Sequence, residues 1–190
     1  MGDQPVEVTR EVLQRGLWFE EFEPGTRYLH RPGRTVTEAD NVLFTTLTMN
    51  TQALHLDAAW SATQPFGERL VNSMFTLATI VGASVAQLTQ GTIVANLGFT
   101  EVAFPAPLHH GDTLYSETTI VGTRASASRP GQGIVTLLHV GRDQNGVEVA
   151  RATRSVLMWF REEGERQAAV GHGELAAEAE PDDAAEEAHR

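Results

Sequence analysis

Four runs of apolar and β-branched positions occupy the second half of the chain, and each has the length of a strand. They are Ile93–Phe104, Thr113–Arg124, Ile134–Arg142 and Glu148–Arg161. Turn-forming residues separate the runs, and the last separator, Asn145-Gly146, is a strong signal for a hairpin. Because no helical pattern lies between the runs, we expect antiparallel strands rather than parallel strands joined by helices.

The first half of the chain carries the helical patterns. A strand-like segment, Tyr28–Val36, contains Pro32-Gly33, which favours an edge strand or a bulged one. Thr37 can cap the short helix that follows, whose apolar positions continue to Met49. One early strand, a helix and four later strands indicate a single antiparallel sheet with helical segments inserted after its first strand.

The longest helical candidate is Val71–Leu88, which is apolar nearly all round. At roughly 18 residues it would be about 27 Å long. A helix that is polar on no face is typical of one buried on most faces. The sequence therefore predicts an α+β fold in which an antiparallel β-sheet is wrapped around a long central helix.

Composition limits the class of protein. The chain has 190 residues, 41% of them hydrophobic, which is enough for one domain with a sizeable core. It has no cysteine, which excludes disulfides, thiol nucleophiles and cysteine-bound metals. All 14 basic residues are arginine, so a lysine Schiff base is excluded as well. With no signal-peptide pattern and no run of 18 apolar residues, we expect a soluble, cytoplasmic protein without a membrane partner.

Acidic residues are concentrated at the C-terminus. Residues 162–190 hold ten acids and two arginines, which leaves 15 acids and 12 arginines in residues 1–161, a net charge of -3 against -11 for the whole chain. This Ala/Glu-rich segment has few large apolar side chains, so we expect it to be disordered, with a peripheral acidic helix as the alternative. The chain thus divides into an N-terminal extension (1–16), one domain (17–161) and an acidic tail (162–190). No basic stripe indicates a nucleic-acid partner.

One polar segment, residues 46–62, carries candidate chemistry. His55 lies in a turn-like stretch before the long helix, with Asn50 five residues before it and Asp57 two after it. Histidine can accept and donate a proton near neutral pH, which suits general acid–base work on a water. A structural hydrogen bond between His55 and a neighbouring polar group is the alternative interpretation.

Three motifs, in order along the chain, carry a resemblance to a known family. Residues 49–57 read MNTQALHLD, residues 67–74 read GERLVNSM, and residues 104–114 read FPAPLHHGDTL. From Tyr28 to about Phe160 the chain resembles the MaoC-like dehydratases, the (R)-specific enoyl-CoA hydratase group of hot-dog proteins. It is also similar to a subgroup linked to branched C4–C5 acyl-CoA chemistry, such as mesaconyl-CoA hydration. The resemblance implies a hot-dog fold and a hydro-lyase acting on a short or branched acyl-CoA.

The resemblance also implies roles for single residues. The family's catalytic pair is an aspartate and a histidine, and the match puts Asn50 at the aspartate position and His55 at the histidine position. Asn72 replaces the histidine before the central helix, and Ser73 replaces the glycine whose N–H stabilises the thioester oxyanion. Because an amide can orient a water but cannot take its proton, His55 is the expected acid/base and Asn50 the residue that positions the water. Asn72 and Gln52 are expected to contact the substrate, and plain N-capping is a compatible role for Asn72 and Ser73.

The same resemblance implies partners and leaves rivals. We expect a homodimer or a larger dimer-based oligomer, no metal, and no cofactor beyond the coenzyme A of the substrate. Arg124, Arg129 and Arg154 are candidates for its phosphates, although most surface arginines are simply solvated. A hot-dog thioesterase is one alternative, but it would need an acid in the central helix, and the segment contains none. A non-catalytic acyl-CoA-binding or regulatory protein is the other, and Asn50 favours it.

Three further polar features have simpler interpretations than catalysis. His109-His110 is typical of a turn rather than a metal site, because no third ligand stands at a supporting spacing. Asp40 is expected to be a charge at the start of a helix, and Asp57 a turn or cap residue.

Overall fold

The computed structural model describes residues 9–10 and 12–178, with side chains described as far as residue 169. The first element in the described part of the chain is a 3-10 helix at Phe19–Glu21. The strands are β1 Arg27–Thr35, β2 Ile93–Ala103, β3 Thr113–Ala125, β4 Gln132–Arg142 and β5 Glu148–Trp159. The α-helices are α1 Glu38–Leu47, α2 Ala53–Leu56, α3 Ala58–Ser61, α4 Ser73–Leu88 and α5 Arg161–Glu178.

The strands form one antiparallel sheet in the order β1-β3-β4-β5-β2, which confirms the predicted sheet. The β4–β5 connection is the predicted hairpin, and its Gly146 has φ 82°, a backbone angle that favours glycine. Strand β1 is an edge strand whose register shifts between His30 and Arg34, at the predicted Pro-Gly interruption. Strand β2 forms the other edge of the sheet.

Helix α4 packs on one face of the sheet. A stripe at every fourth position is buried against the strands: Thr76, Ile80, Ser84 and Leu88. Ile80 belongs to one apolar cluster of the core and Leu88 to another. The prediction that this helix is buried on most faces is wrong for the single chain. Its other side, which includes the small residues Ala78, Gly82 and Ala83, faces away from the sheet. This side is exposed because no other part of the described chain covers it.

Helix α1 begins with the predicted N-cap. The Thr37 hydroxyl accepts a hydrogen bond from the Asp40 N–H at 3.2 Å, and the Asp40 carboxylate accepts one from the Thr37 N–H at 2.9 Å. The bonds that the Asp40 carboxylate accepts from the N–H and the hydroxyl of Thr37 lower its pKa, as expected for a carboxylate at a helix start. The helix then places two polar side chains, Asn41 and Thr45, in the interior.

The segment after β5 differs from the expected disordered tail. Residues 161–178 form α5, the alternative considered for an Ala/Glu-rich segment. Its start is docked on the domain, because the Glu20 carboxylate accepts from the Arg161 N–H at 3.1 Å and Gly164 lies against the indole of Trp18. The remainder of the predicted tail, 179–190, and residues 1–8 and 11 of the predicted N-terminal extension lie outside the described residues. None of the helices in the described chain is long and apolar enough to span a membrane.

Candidate active site

The start of α4 is organised by Asn72. Its Oδ1 accepts from the Met74 N–H at 3.0 Å, which is an N-cap bond, and its Nδ2 donates to the Thr45 hydroxyl at 3.2 Å. Ser73 is therefore the first residue of the helix. Its N–H has no partner within the helix and lies at the positive end of the helix dipole.

The imidazole of His55 is held by the strand-like segment that precedes α4. Its Nδ1 lies 3.0 Å from the carbonyl oxygen of Leu70, and the Leu70 N–H donates to the Leu54 carbonyl at 3.1 Å. A carbonyl oxygen can only accept, so Nδ1 carries the proton in this bond. In the neutral ring Nε2 then has the free lone pair, which is the form a general base requires.

The loop between β2 and β3 forms the opposite wall. The Val71 N–H donates to the Leu108 carbonyl at 2.9 Å, so the loop is tied directly to the residue before the α4 cap. At its far end the Asp112 carboxylate accepts from the His109 N–H at 2.8 Å and closes a turn. The loop residues between Phe104 and Leu108 are thereby fixed against the start of α4.

A cavity of about 440 Å³ lies between these elements, within the size range of small-molecule sites. His55 and Ser73 both line it, so the structure brings these two predicted residues together. The other lining residues are apolar apart from Thr76: Leu54, Phe66, Leu70, Val71, Phe104, Pro105, Ala106, Pro107, Leu108 and Val149. Among these lining residues His55 has the only ionisable side chain. The cavity thus pairs one proton-transferring group with a helix N-terminus inside an apolar wall.

Asn50 and Gln52 are close to His55 in sequence but do not line the cavity. The Asn50 Oδ1 accepts from the Gln52 N–H at 3.0 Å and shapes the turn that leads into α2. The Gln52 side chain is exposed. The amide NH₂ of Asn50 can still donate, since only Oδ1 is engaged among the described residues.

The two other residues expected to contact substrate are placed differently. The Asn72 side chain is 2% exposed and its amide is engaged in the helix cap and with Thr45, so it faces the interior rather than the cavity. Arg124 pairs with Ile134 near the far end of the sheet. Tyr115 of the same strand is level with the start of β5, which carries the cavity residue Val149. Arg124 lies nine residues farther along the strand, a distance of roughly 30 Å. The structure does not bring Arg124 to this cavity.

The simpler interpretations of the remaining polar residues agree with the geometry. Asp57 caps α3 by accepting from the Trp60 N–H at 2.9 Å. His109 lies 3.5 Å from Asp112 and 3.8 Å from Glu68, within the turn. No group of three or more His, Asp or Glu side chains in the described part of the chain is placed to hold a metal ion. Arg154 is buried on the helix-facing side of the sheet rather than on the surface.

Sequence reasoning missed several residues of the site. Thr76 lies three positions after Ser73, so helical spacing could have indicated it. Phe66 and Val149 come from segments without any motif of their own. Asn41 carried no signal either, although it is fully buried and contacts the segments of both His55 and Asn72.

Comparison with known proteins identifies similar chains. The family described as MaoC like domain matches residues 20–142. The mesaconyl-CoA hydratase of Haloarcula marismortui is 31% identical over 153 residues, which are 80% of this chain and 42% of that protein. The beta-methylmalyl-CoA dehydratase of Chloroflexus aurantiacus is 28% identical over 147 residues, or 77% of this chain and 41% of that one. The chain thus spans less than half the length of these curated relatives.

Solved structures share the fold. A monoamine oxidase regulatory protein from Archaeoglobus fulgius superposes with a TM-score of 0.71 at 26% identity, covering 78% of this chain and 99% of that one. A Mycobacterium tuberculosis protein described as having a double hotdog fold gives a TM-score of 0.67 at 24% identity, covering 76% of this chain and 44% of that one. The expected hot-dog architecture is confirmed.

Proposed function

Since the chain belongs to the MaoC-like dehydratase family, we propose that it catalyses the reversible addition of water to a 2-enoyl thioester of coenzyme A. The observation that carries the proposal is the pairing of His55, with its Nδ1 held by Leu70, and the first residue of α4 at one cavity. Hydration needs a base for water and a donor for the thioester oxygen, and this pairing offers both.

In the proposed reaction the water oxygen bonds to C3 of the enoyl group while His55 Nε2 takes one of its protons. The electron pair of the C2–C3 double bond moves toward the thioester oxygen, where the N–H of Ser73 stabilises the developing negative charge. The imidazolium then returns its proton to C2, and the electron pair on the oxygen reforms the carbonyl. Asn50 does not line the cavity, and in this proposal the N–H groups of its Nδ2, which the turn leaves available, orient the attacking water once substrate is bound. The chemistry needs no metal and no redox cofactor.

The substrate in this proposal is a short or branched acyl-CoA. The names of the two relatives, mesaconyl-CoA hydratase and beta-methylmalyl-CoA dehydratase, support a methyl-branched C4–C5 dicarboxylic acyl group. The chain spans less than half of each of these proteins, and the homodimer expected for it belongs to the same proposal.

The experiment is to incubate the purified chain with a panel of 2-enoyl-CoAs, including a methyl-branched dicarboxylic one, and to follow loss of the conjugated thioester absorbance. His55→Ala should lower turnover by about 10²- to 10⁴-fold, the usual contribution of a general acid–base group. His109→Ala is the matched control, because that histidine does not line the cavity, and it should retain turnover. Turnover by His55→Ala close to that of the parent would refute the assignment.

A second candidate is a non-catalytic acyl-CoA-binding protein, which is favoured by the amide at position 50 in place of a carboxylate. It predicts binding of acyl-CoA, measured by calorimetry, without any loss of absorbance across the panel. The thioesterase alternative is disfavoured because α4 contains no acidic residue. It predicts release of free coenzyme A, which a thiol reagent detects in the same reaction mixture.

A further inference from the structure

Helix α1 has an unusual interior side. Its two buried residues are Asn41 and Thr45, one helical turn apart, and both have a relative exposure of 0%. Buried residues of a short surface helix are ordinarily apolar. A buried amide costs free energy unless it is hydrogen-bonded, so its partners indicate what it is for.

Both ends of the Asn41 amide are used, and they join two different segments of the site. Its Nδ2 donates to the backbone carbonyl of His55 at 3.1 Å. Its Oδ1 accepts from the backbone N–H of Asn72 at 2.8 Å. A single side chain thus bridges the peptide of His55 and the residue immediately before Ser73.

The rest of the helix supports this bridge. Thr45 accepts from the Asn72 amide at 3.2 Å, while the same amide caps α4 through the Met74 N–H. The His55 ring makes its own bond to the Leu70 carbonyl, and the Asn41 bridge holds the His55 backbone in the place from which that bond forms. The His55 backbone and the start of α4 are therefore placed by one connected set of hydrogen bonds that starts from α1.

We propose that Asn41 is a positioning residue that fixes the distance between the His55 imidazole and the Ser73 N–H. This inference rests on the proposed function. An amide offers a donor and an acceptor on one planar group, whereas an ionised Asp lacks the donor and Leu lacks both, so neither can make both bonds. A shift of about 1 Å in a reacting group can cost about 100-fold in rate, so loss of the bridge should affect the chemical step more than binding.

The test compares Asn41→Leu with a matched control, Thr118→Val. Thr118 is also fully buried and makes two side-chain hydrogen bonds, to His30 and His139, but it does not line the cavity. Asn41→Leu should lower kcat by about 10- to 100-fold and change KM by less than about threefold. Thr118→Val should lose stability but keep kcat. Retention of kcat in Asn41→Leu, or an equal loss in Thr118→Val, overturns the proposal.

Asn41→Asp tests the bond that Asn41 donates separately from the bond that it accepts. An ionised carboxylate can still accept from Asn72 but faces the His55 carbonyl with a second acceptor, whereas a protonated one can donate again. The kcat of Asn41→Asp relative to the parent should therefore rise as the pH falls. A ratio that does not depend on pH contradicts the role of the donated bond.

A readout without turnover keeps this inference separate from the proposed reaction. The ¹⁵N shifts of the His55 ring should report a single Nδ1–H tautomer in the parent and a mixture in Asn41→Leu. If His55→Ala is inactive and Asn41→Leu is not, the positioning role fails and the reaction stands. If no enoyl-CoA is hydrated but the tautomer changes, the proposed function fails and the positioning of His55 stands. If Asn41→Leu changes neither the tautomer nor kcat, only the positioning role of Asn41 is refuted.

Discussion

Asn50 stands where the resemblance to the family places the aspartate of the catalytic pair. Its Oδ1 is engaged by the Gln52 N–H, so the turn before α2 keeps its shape although the carboxylate is gone. An amide at this position adds no charge beside the cavity, where His55 is the only ionisable lining residue in the described chain. Asn50 therefore keeps the shape of the turn but lacks the negative charge that an aspartate would have.

Asn50→Asp should change substrate preference. A new carboxylate restores the family's pair, but it also repels any substrate that carries a free carboxylate, by about 1 kcal/mol at 4 Å in water or about fivefold in rate. We expect the ratio of kcat/KM for linear enoyl-CoAs to that for dicarboxylic ones to rise by at least about fivefold, measured over the same panel. Asn50→Ala, which removes the amide without adding charge, should leave the ratio unchanged. An equal change for both substrate classes in Asn50→Asp would show that position 50 does not sense substrate charge.

Met49 has a strained backbone conformation. It has φ 56°, in the left-handed region that disfavours side chains. The side chain is 88% exposed and makes little packing contribution. Met49→Gly should therefore raise the free energy of unfolding by about 0.5–1 kcal/mol, since relief of strain exceeds the added chain entropy. Chemical denaturation measures this, and Thr48→Gly, at φ -89°, should have the opposite sign.

At the scale of secondary structure elements, a row of polar side chains crosses the core beneath α4. His30 in β1, Thr118 in β3 and His139 in β4 are joined through the threonine hydroxyl, at 2.8 and 2.9 Å. Arg154 in β5 continues the row and bonds to Asn96 in β2 at 3.1 Å. The row lies between the two apolar clusters of the core, so the element packing includes buried groups that titrate.

His139 should make stability depend on pH. Burial lowers its pKa to about 3, helped by the positive charge of Arg154 and by His30. The folded state thus keeps His139 neutral while the unfolded chain is protonated below about 6.5, so stability is complete above that pH and is lost as the pH falls toward 3. At pH 5 the loss from His139 is about 2 kcal/mol relative to pH 8. His139→Gln should flatten the dependence of urea-unfolding free energy on pH by that amount, whereas His109→Gln should not.

The strands and α4 could be predicted from the sequence because local signals mark their ends. Turn residues separate the strands, and Asn72 caps α4 within two residues of its predicted start. Helix α5 was only the alternative to a disordered tail, since composition alone does not reveal its docking on Trp18 through Gly164. Among the candidate site residues, the motifs indicated His55 and Ser73, which both line the cavity. They could not locate Asn41, whose partners are 14 and 31 residues away along the chain.

At the scale of the whole molecule, the sheet edge formed by β2 has apolar side chains that no other part of the described chain covers. Phe99 and Val102 pair in register with Arg154 and Ala152, whose side chains face the core, yet they are 39% and 40% exposed. Strand β2 is 11 residues long, and a long apolar edge strand is prone to pair with another chain. The small-residue side of α4 is exposed as well. A second copy of the chain, paired along β2, would cover this edge.

Val102→Arg should convert a dimer into monomers. The parent should elute in light-scattering chromatography at about twice the chain mass of 20.7 kDa, and the arginine should place a charge where β2 must be desolvated, a cost of several kcal/mol for an unpaired ion. Leu29→Arg is the matched control, because Leu29 is 55% exposed on β1, the opposite edge of the sheet, and its replacement should leave the mass unchanged. A parent that elutes as a monomer, or a Val102→Arg variant that remains dimeric while Leu29→Arg dissociates, would place the interface elsewhere than β2.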